Sequence, residues 1–459
     1  MRATFLSLRV RNYRLFWTGQ LISLIFGWMQ ITAQDWLVLQ VSHNSPSALG
    51  VVTALQFAPM LLFTLYAGKL ADRFDKRLLL TIVNSAWLVL ASLMGVLVLS
   101  GAIQLWQVYL FAGLWGTVSA VETPVRQSFV SELVERPLLP NALSLSGAAF
   151  NTARIIGPAI GGLAIAGLGT GSAFLVNAVS YVFPLVALAR LRPAELHREA
   201  GRVVASAEAR VVDGLRYVGR RPDLLLPMVL IMVIGLVGFN YQLTLAVLAK
   251  NVFHTGAVTF GLLTTAIAAG ALASTRRRVR PSVWLVLGAA VGFGVLGTLS
   301  GLMPTYLLTA AILVPTGFVQ IFLAQAANQR VQLGTDPEMR GRVMALYVVA
   351  FLGTNPVGAP LVGWFAEAFG PRASIWVGGA ISLAAAVVAL VVELRRSGAK
   401  LRFQLVPAPK LVVWQGVAHG VPAPAELPGR RLHPVATGCR PGVEDGHRPP
   451  GPELSRVDA

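Results

Sequence analysis

The stretch IGPAIGGLAIAGLGTGSAF, Ile156 to Phe174, returns 201 residues later as VGAPLVGWFAEAFGPRASI, Val357 to Ile375, without a gap. Glycines coincide at 157/358, 162/363 and 169/370, and upstream the same shift pairs Glu135 with Asp336 and Leu145 with Leu346. Each copy lies in an apolar run long enough to cross about 30 Å of hydrocarbon as a helix. Both copies enter their runs from the same side, so the repeat is parallel. Two halves related by an axis along the membrane normal place a substrate cavity between them at mid-depth. Chance alignment of glycine-rich helices is the alternative.

Outward from the repeat, apolar runs recur about every thirty residues, at 16–41, 48–68, 78–100, 104–126, 141–167, 172–190, 224–249, 257–275, 283–301, 304–327, 343–367 and 373–394. The composition agrees: 55% of residues are hydrophobic and 13% charged, against about a quarter charged in soluble chains. The expected fold is therefore all-α, twelve transmembrane helices in two pseudo-symmetric six-helix bundles, residues 1–190 and 223–396. A net charge of +18 invites a nucleic-acid reading, but the placement of the cations argues for a membrane. Of the Lys and Arg up to Arg402, 29 fall on one side, two (Lys250, Arg372) on the other and one (Arg154) within a run. By the positive-inside rule that side is cytoplasmic and holds both termini, as expected for a multi-pass protein of a bacterial inner membrane. The first run is too long and too polar for a cleaved signal peptide. Cys439, the one cysteine, lies in the polar tail, which leaves the bundles without disulfides or thiolate metal sites.

A polar stretch, 191–222, joins the halves. Within it Val204, Ala207, Val211, Leu215 and Val218 keep helical spacing, so it reads either as an amphipathic helix on an anionic inner leaflet or as a solvated linker. Residues 397–459, with ten prolines from 400 onward, have no apolar periodicity and are expected to be disordered.

GKLADRFDKR, Gly68 to Arg77, stands between the second and third runs. Its Gly68, Asp72, Arg73, Lys76 and Arg77 fit the loop motif G-x-x-x-D-R-x-x-R-R, and by it the chain resembles the major facilitator superfamily. The resemblance implies a latch between the halves, closing one face against the start of the eleventh helix near Asp336 to Gly341. The equivalent segment of the second half, GALASTRRRVR from Gly270, has Ser274 where the aspartate would fall. In the fifth run Gly157, Pro158, Gly161 and Gly162 form GPAIGG, similar to the motif associated with antiporters of that superfamily. Generic small-residue packing is the alternative. Together RNYRLFWTGQ (11–20), ETPVRQSFVSELV (122–134) and ARIIGPAIGG (153–162) resemble bacterial exporters of the enterobactin-exporter and macrolide-efflux branch.

Ionisable groups within a membrane are costly and mark function by default. Asp35 lies in the outer third of the first run, beside a polar stripe of Gln20, Ser23, Gly27, Gln30 and Gln34 suited to a cavity wall. It reads as a proton-coupling or substrate contact, or as a carboxylate paired at the rim. Glu122 and Arg126, an i, i+4 pair, either pass charge to the Asp72 loop or neutralise each other. Arg154 needs an anion, either Asp35, Glu122 or a substrate group. GFGVLG, Gly292 to Gly297, lacks the strand and acidic residue of a dinucleotide site, and no phosphate-cradling G-x-x-x-x-G-K-[ST] is present. No catalytic set, metal or cofactor is implied. The expected activity is proton-coupled efflux of an amphipathic small molecule, a drug, macrolide or siderophore, by a monomer in lipid without nucleic acid. The alternatives are uptake of a nutrient and a non-transporting sensor or scaffold.

Overall fold

The computed structural model describes residues 5–197, 211–274, 282–398, 400–404 and 410–414, with backbone alone at 64, 65, 67–69, 71, 72, 211, 212 and from 400 onward. Five unbroken helices make the first crossings: α1 Arg11–Val41, α2 Pro46–Arg73, α3 Lys76–Leu99, α4 Leu105–Leu133 and α5 Leu139–Leu168. The sixth crossing is split into α6 Thr170–Ser180 and α7 Val182–Ala189, because Pro184 cannot donate to the carbonyl of Ser180. After the linker helix α8, Val211–Gly219, the seventh crossing is again split. It runs through α9 Pro222–Val237, α10 Tyr241–Val247 and a π turn, Leu248–Val252. At the break Asn240 donates to the carbonyl of Leu236 at 3.0 Å, a side-chain bond in competition with the helix ladder. Then follow α11 Ala257–Ser274, α12 Val283–Leu302, α13 Tyr306–Gly334, the broken pair α14 Arg340–Leu352 and α15 Asn355–Phe369, and α16 Pro371–Ser397. Pro356 accounts for the α14/α15 break as Pro184 does for the sixth crossing.

All twelve expected runs are therefore present, three of them interrupted where continuous helices were expected. Among the described residues, ten segments are long and apolar enough to cross a membrane. The other two, α1 and α4, carry Gln20, Gln30, Gln34 and Asp35, and Glu122 and Arg126, which lower their hydropathy but are directed into the bundle.

The sequence repeat is a structural one. Gly157 on α5 faces Ile25 and Trp28 of α1, while Gly358 on α15 faces Leu236 of α9. Gly162 faces Ala257 and Val258 of α11; Gly363 faces Pro46 and Ser47 of α2. The third pair, Gly169 and Gly370, turns the chain at φ 83° and 94°, where a side chain would be strained. Each copy thus seats one helix of its own half and one of the other.

Contacts between the halves gather toward one face. Pro158 meets Gly261, Ala359 and Pro360 meet Gly50, and the Thr265 hydroxyl donates to the Ile155 carbonyl at 3.0 Å. Phe150 on α5 and Leu62 and Tyr66 on α2 are exposed. Hydrogen bonds between the halves run from the Thr265–Ile155 pair toward the face of the α1–α2 turn, which they close.

In the linker, the expected helical spacing is realised over α8; Val204 and Ala207 lie outside the described residues. Gly214 packs against Leu346 and Arg342 of α14, Val218 is buried, and Leu215 is exposed. Arg221 ties the segment down, donating to Asp223 at 3.1 and 3.2 Å and to the Gly334 carbonyl at 3.0 Å. In a second unit, Gly398–Ala459, the described residues form one hairpin: Lys400–Gln404 (β1) pairs antiparallel with Lys410–Trp414 (β2), Arg402 opposite Val412, and the rest of the tail expected to be disordered lies outside the described residues. Three β-branched or aromatic residues in VVW, 412–414, favour that pairing.

Candidate functional site

The polar stripe of α1 fans out over several neighbours, so it is not one wall. Gln20 donates to Glu122 Oε1 of α4 at 3.2 Å. Ser23 bonds back to the carbonyl of Gln20. Gln30 accepts from Asn177 of α6, which also reaches the Tyr181 hydroxyl at 3.4 Å. Gln30 is thereby tied to α6 of its own half, where one buried amide satisfies another. Gln34 is buried with its Nε2 unpartnered, and Gly27 has open space where a side chain would stand.

Asp35 is 3% exposed and accepts a 2.8 Å hydrogen bond from Gln242 Nε2 on α10, across the interface between halves. Next to it Trp36 stacks on Phe260 of α11, and Lys250 Nζ sits 5.1 Å from the Trp36 ring centroid. Two further ties close this face. Glu367 on α15 accepts from the Ser45 hydroxyl at 2.9 Å and the Ser47 amide at 3.1 Å, so a carboxylate of one half caps the first turn of α2 in the other. Asn251 donates to the Asn44 carbonyl at 3.1 Å, from a turn where His43 and Asn44 take left-handed φ of 55° and 67°. Gln242, Lys250, Ser45 and Glu367 escaped the sequence reading. The signal for Gln242 was there, a polar cluster Asn240, Tyr241, Gln242 and Thr244 within an apolar run.

Glu122 and Arg126 form their expected pair at 2.6 Å, both largely buried, with Gln20 as a third member. Of the loop motif, the side chains of Gly68 and Asp72 lie outside the described residues. Arg73 is exposed at the end of α2. Lys76 is paired with Glu132 of α4, and Arg77 donates to the Leu188 and Ala189 carbonyls at 2.8 and 3.1 Å. Those contacts stay within the amino-terminal half. Asp336, at the expected far side of the latch, accepts instead from Tyr217 at 2.8 Å.

GPAIGG is divided between both neighbours of α5: Gly157 and Gly161 seat α1, Pro158 and Gly162 meet α11. Arg154, one turn before it, has neither expected carboxylate as a partner. Asp35 is held by Gln242 and Glu122 by Arg126 and Gln20. The Arg154 Nε is buried without a hydrogen bond. Among the described residues no His, Cys, Asp and Glu group of metal-holding size occurs.

Residues 2–414 match the model of a family described as a transmembrane secretion effector. The chain is 27% identical to the staphyloferrin A transporter of Staphylococcus aureus, covering 78% of this chain and 90% of that protein. It is 29% identical to the multidrug efflux pump Tap of Mycolicibacterium fortuitum, over 75% and 86%. To the enterobactin exporter EntS of Escherichia coli it is 26% identical, over 78% and 86%. Among solved structures, a bacterial homologue of the lysosomal transporter Spinster, inward-facing and unoccupied, superposes with a TM-score of 0.60 at 15% identity, covering 83% of this chain and 95% of that one. The nucleoside transporter NupG does so with 0.63 at 9%, over 83% and 99%.

Proposed function

This chain belongs to the transmembrane secretion effector family of the major facilitator superfamily, and from that premise we propose that it exports an amphipathic small molecule in exchange for protons. The observation that carries the coupling is Asp35, a buried carboxylate whose hydrogen-bond donor, Gln242, belongs to the opposite half.

The reasoning is energetic. A carboxylate enclosed with a neutral amide for company is more costly to bury charged than protonated. The proton-loaded chain therefore prefers this face closed, as here, and in the proposed cycle it is then the terminus-bearing face that parts. Release of the proton on that side leaves an enclosed charge, which favours parting the Asp35 face and carrying cargo across. There Asp35 takes up a proton from the other medium and the cycle closes. With the basic loops cytoplasmic, a bacterial inner membrane is the setting and cargo leaves the cell. The relatives' siderophores and drugs support an organic cargo; no catalytic role is assigned to any residue. Protons, cargo, lipid and a single copy of the chain suffice for this cycle.

In proteoliposomes with an imposed proton gradient, Asp35→Asn should abolish gradient-driven efflux while the protein remains folded and monodisperse in detergent. Undiminished exchange in that variant removes Asp35 from the mechanism.

A further inference from the structure

We infer that Arg154 recognises an anionic group of the cargo, so that the transported molecule, or the form that binds, carries a carboxylate or an equivalent anion beside an apolar or aromatic portion. The inference rests on the transport reading above and names the class of cargo.

Its position comes first. Thr265 of α11 bonds the carbonyl of Ile155, and the contacts of α5 with the other half then continue through Pro158 and Gly162 toward the closed face. Arg154 precedes all three, so it stands at the end of that row of contacts nearer the termini. One turn further in that direction, Phe150 is 38% exposed, and neither Gly147 nor Gly27 has an atom within 4 Å of where a side chain would begin. Open space thus lies along both α1 and α5.

Charge comes second. A permanent cation this deep requires an anion. The carboxylates whose side chains are described in the crossings of the amino-terminal half are engaged elsewhere: Asp35 with Gln242, Glu122 with Arg126 and Gln20, Glu132 with Lys76. The Arg154 Nε makes no hydrogen bond at all. A planar guanidinium with free donors matches a carboxylate bidentately. One turn from it Trp28 and Phe150 meet edge-on, ring centroids 5.8 Å apart, and offer an apolar aromatic corner for the rest of the molecule.

The test uses the purified full chain in lipid nanodiscs and needs no gradient. Thermal unfolding is followed with benzoate against benzamide and salicylate against salicylamide, pairs alike in shape and different in charge. The carboxylates should raise the midpoint with dose and the amides should not. Arg154→Lys should retain the response in weaker form; Arg154→Gln should bind at roughly a tenth of the affinity or less. Arg154→Met, which removes an unpartnered and partly buried cation, should unfold at the same temperature as the parent or higher when no ligand is present. Equal stabilisation by amides, an unchanged carboxylate response in Arg154→Gln, silence of both carboxylates, or a fall in the unliganded midpoint of Arg154→Met each overturns the inference. Because no proton gradient enters, failure here leaves the Asp35 cycle standing, and wild-type efflux in Asp35→Asn leaves this site standing.

Discussion

Gly317 has no room for a methyl group, since a Cβ there would run into the carbonyl of Ile267 on α11, and Gly270 in return faces the carbonyl of Val314 on α13. Backbone cannot swing aside as a flexible side chain does, so Gly317→Ala must push two helices apart, an overpacking that costs about 1–3 kcal/mol. Gly113 and Gly288 sit in helices with nothing within 4 Å, and Ala there should add about 0.5–1 kcal/mol by restricting the unfolded chain. Unfolding midpoints in detergent should accordingly move in opposite directions for the two kinds of glycine; a common direction contradicts the packing described. In the sequence those glycines look alike. Only the ones that recur at a constant shift, 157/358 and 162/363, announced their contacts. The same limit governs the site: Asp35 stood out as a charge in an oily run, whereas its partner Gln242 lies 207 positions away and only folding brings the two together.

Among elements, α2 depends on the other half for its first turn. Ser45 caps it internally through Ala48 N and simultaneously donates to Glu367, which also takes the Ser47 amide. Glu367→Ala removes both bonds across the interface while leaving the Ser45 cap. The loss of a helix-cap interaction is worth about 1 kcal/mol, enough to shift a closed–open equilibrium about fivefold toward open. In a Cys439→Ser background, Ala48→Cys, at a site 6% exposed, should therefore react several-fold faster with a membrane-impermeant maleimide once Glu367 is replaced. An unchanged rate means that this carboxylate does not hold the face closed. Helix existence was legible from apolar runs, but the interruptions were less so. Pro184 and Pro356 do mark two of them, yet Pro59, Pro124 and Pro315 lie inside helices that continue, so proline alone does not decide where a crossing breaks. What decides is whether neighbouring helices satisfy the freed carbonyl, and that is a tertiary property.

For the molecule as a whole, the parallel repeat puts equivalent glycines at both crossed contacts, α5 with α11 and α15 with α2, so the halves can pivot about a pseudo-symmetric seam. In the present state two of the three cations of the loop motif are engaged inside their own half, Lys76 with Glu132 and Arg77 with the end of α7, while Arg73 is exposed, and Asp336 is occupied by Tyr217. The latch expected between that loop and residues 336–341 belongs, on this reading, to the opposite state, in which the terminus-bearing face is shut. Spin labels at Phe74→Cys, an exposed variable position of the loop motif, and Glu338→Cys, exposed just before α14, report the gap directly. Two distance populations should appear in lipid, the longer one matching the parted face. Raising the pH on the labelled face, which strips the proton from Asp35, should enlarge the shorter population, because an enclosed carboxylate is relieved when its own face opens. Asp35→Asn, neutral at every pH, should hold the longer distance and abolish that response. A single distance under all conditions, or a pH response that survives Asp35→Asn, would show that the halves do not rock under control of this carboxylate.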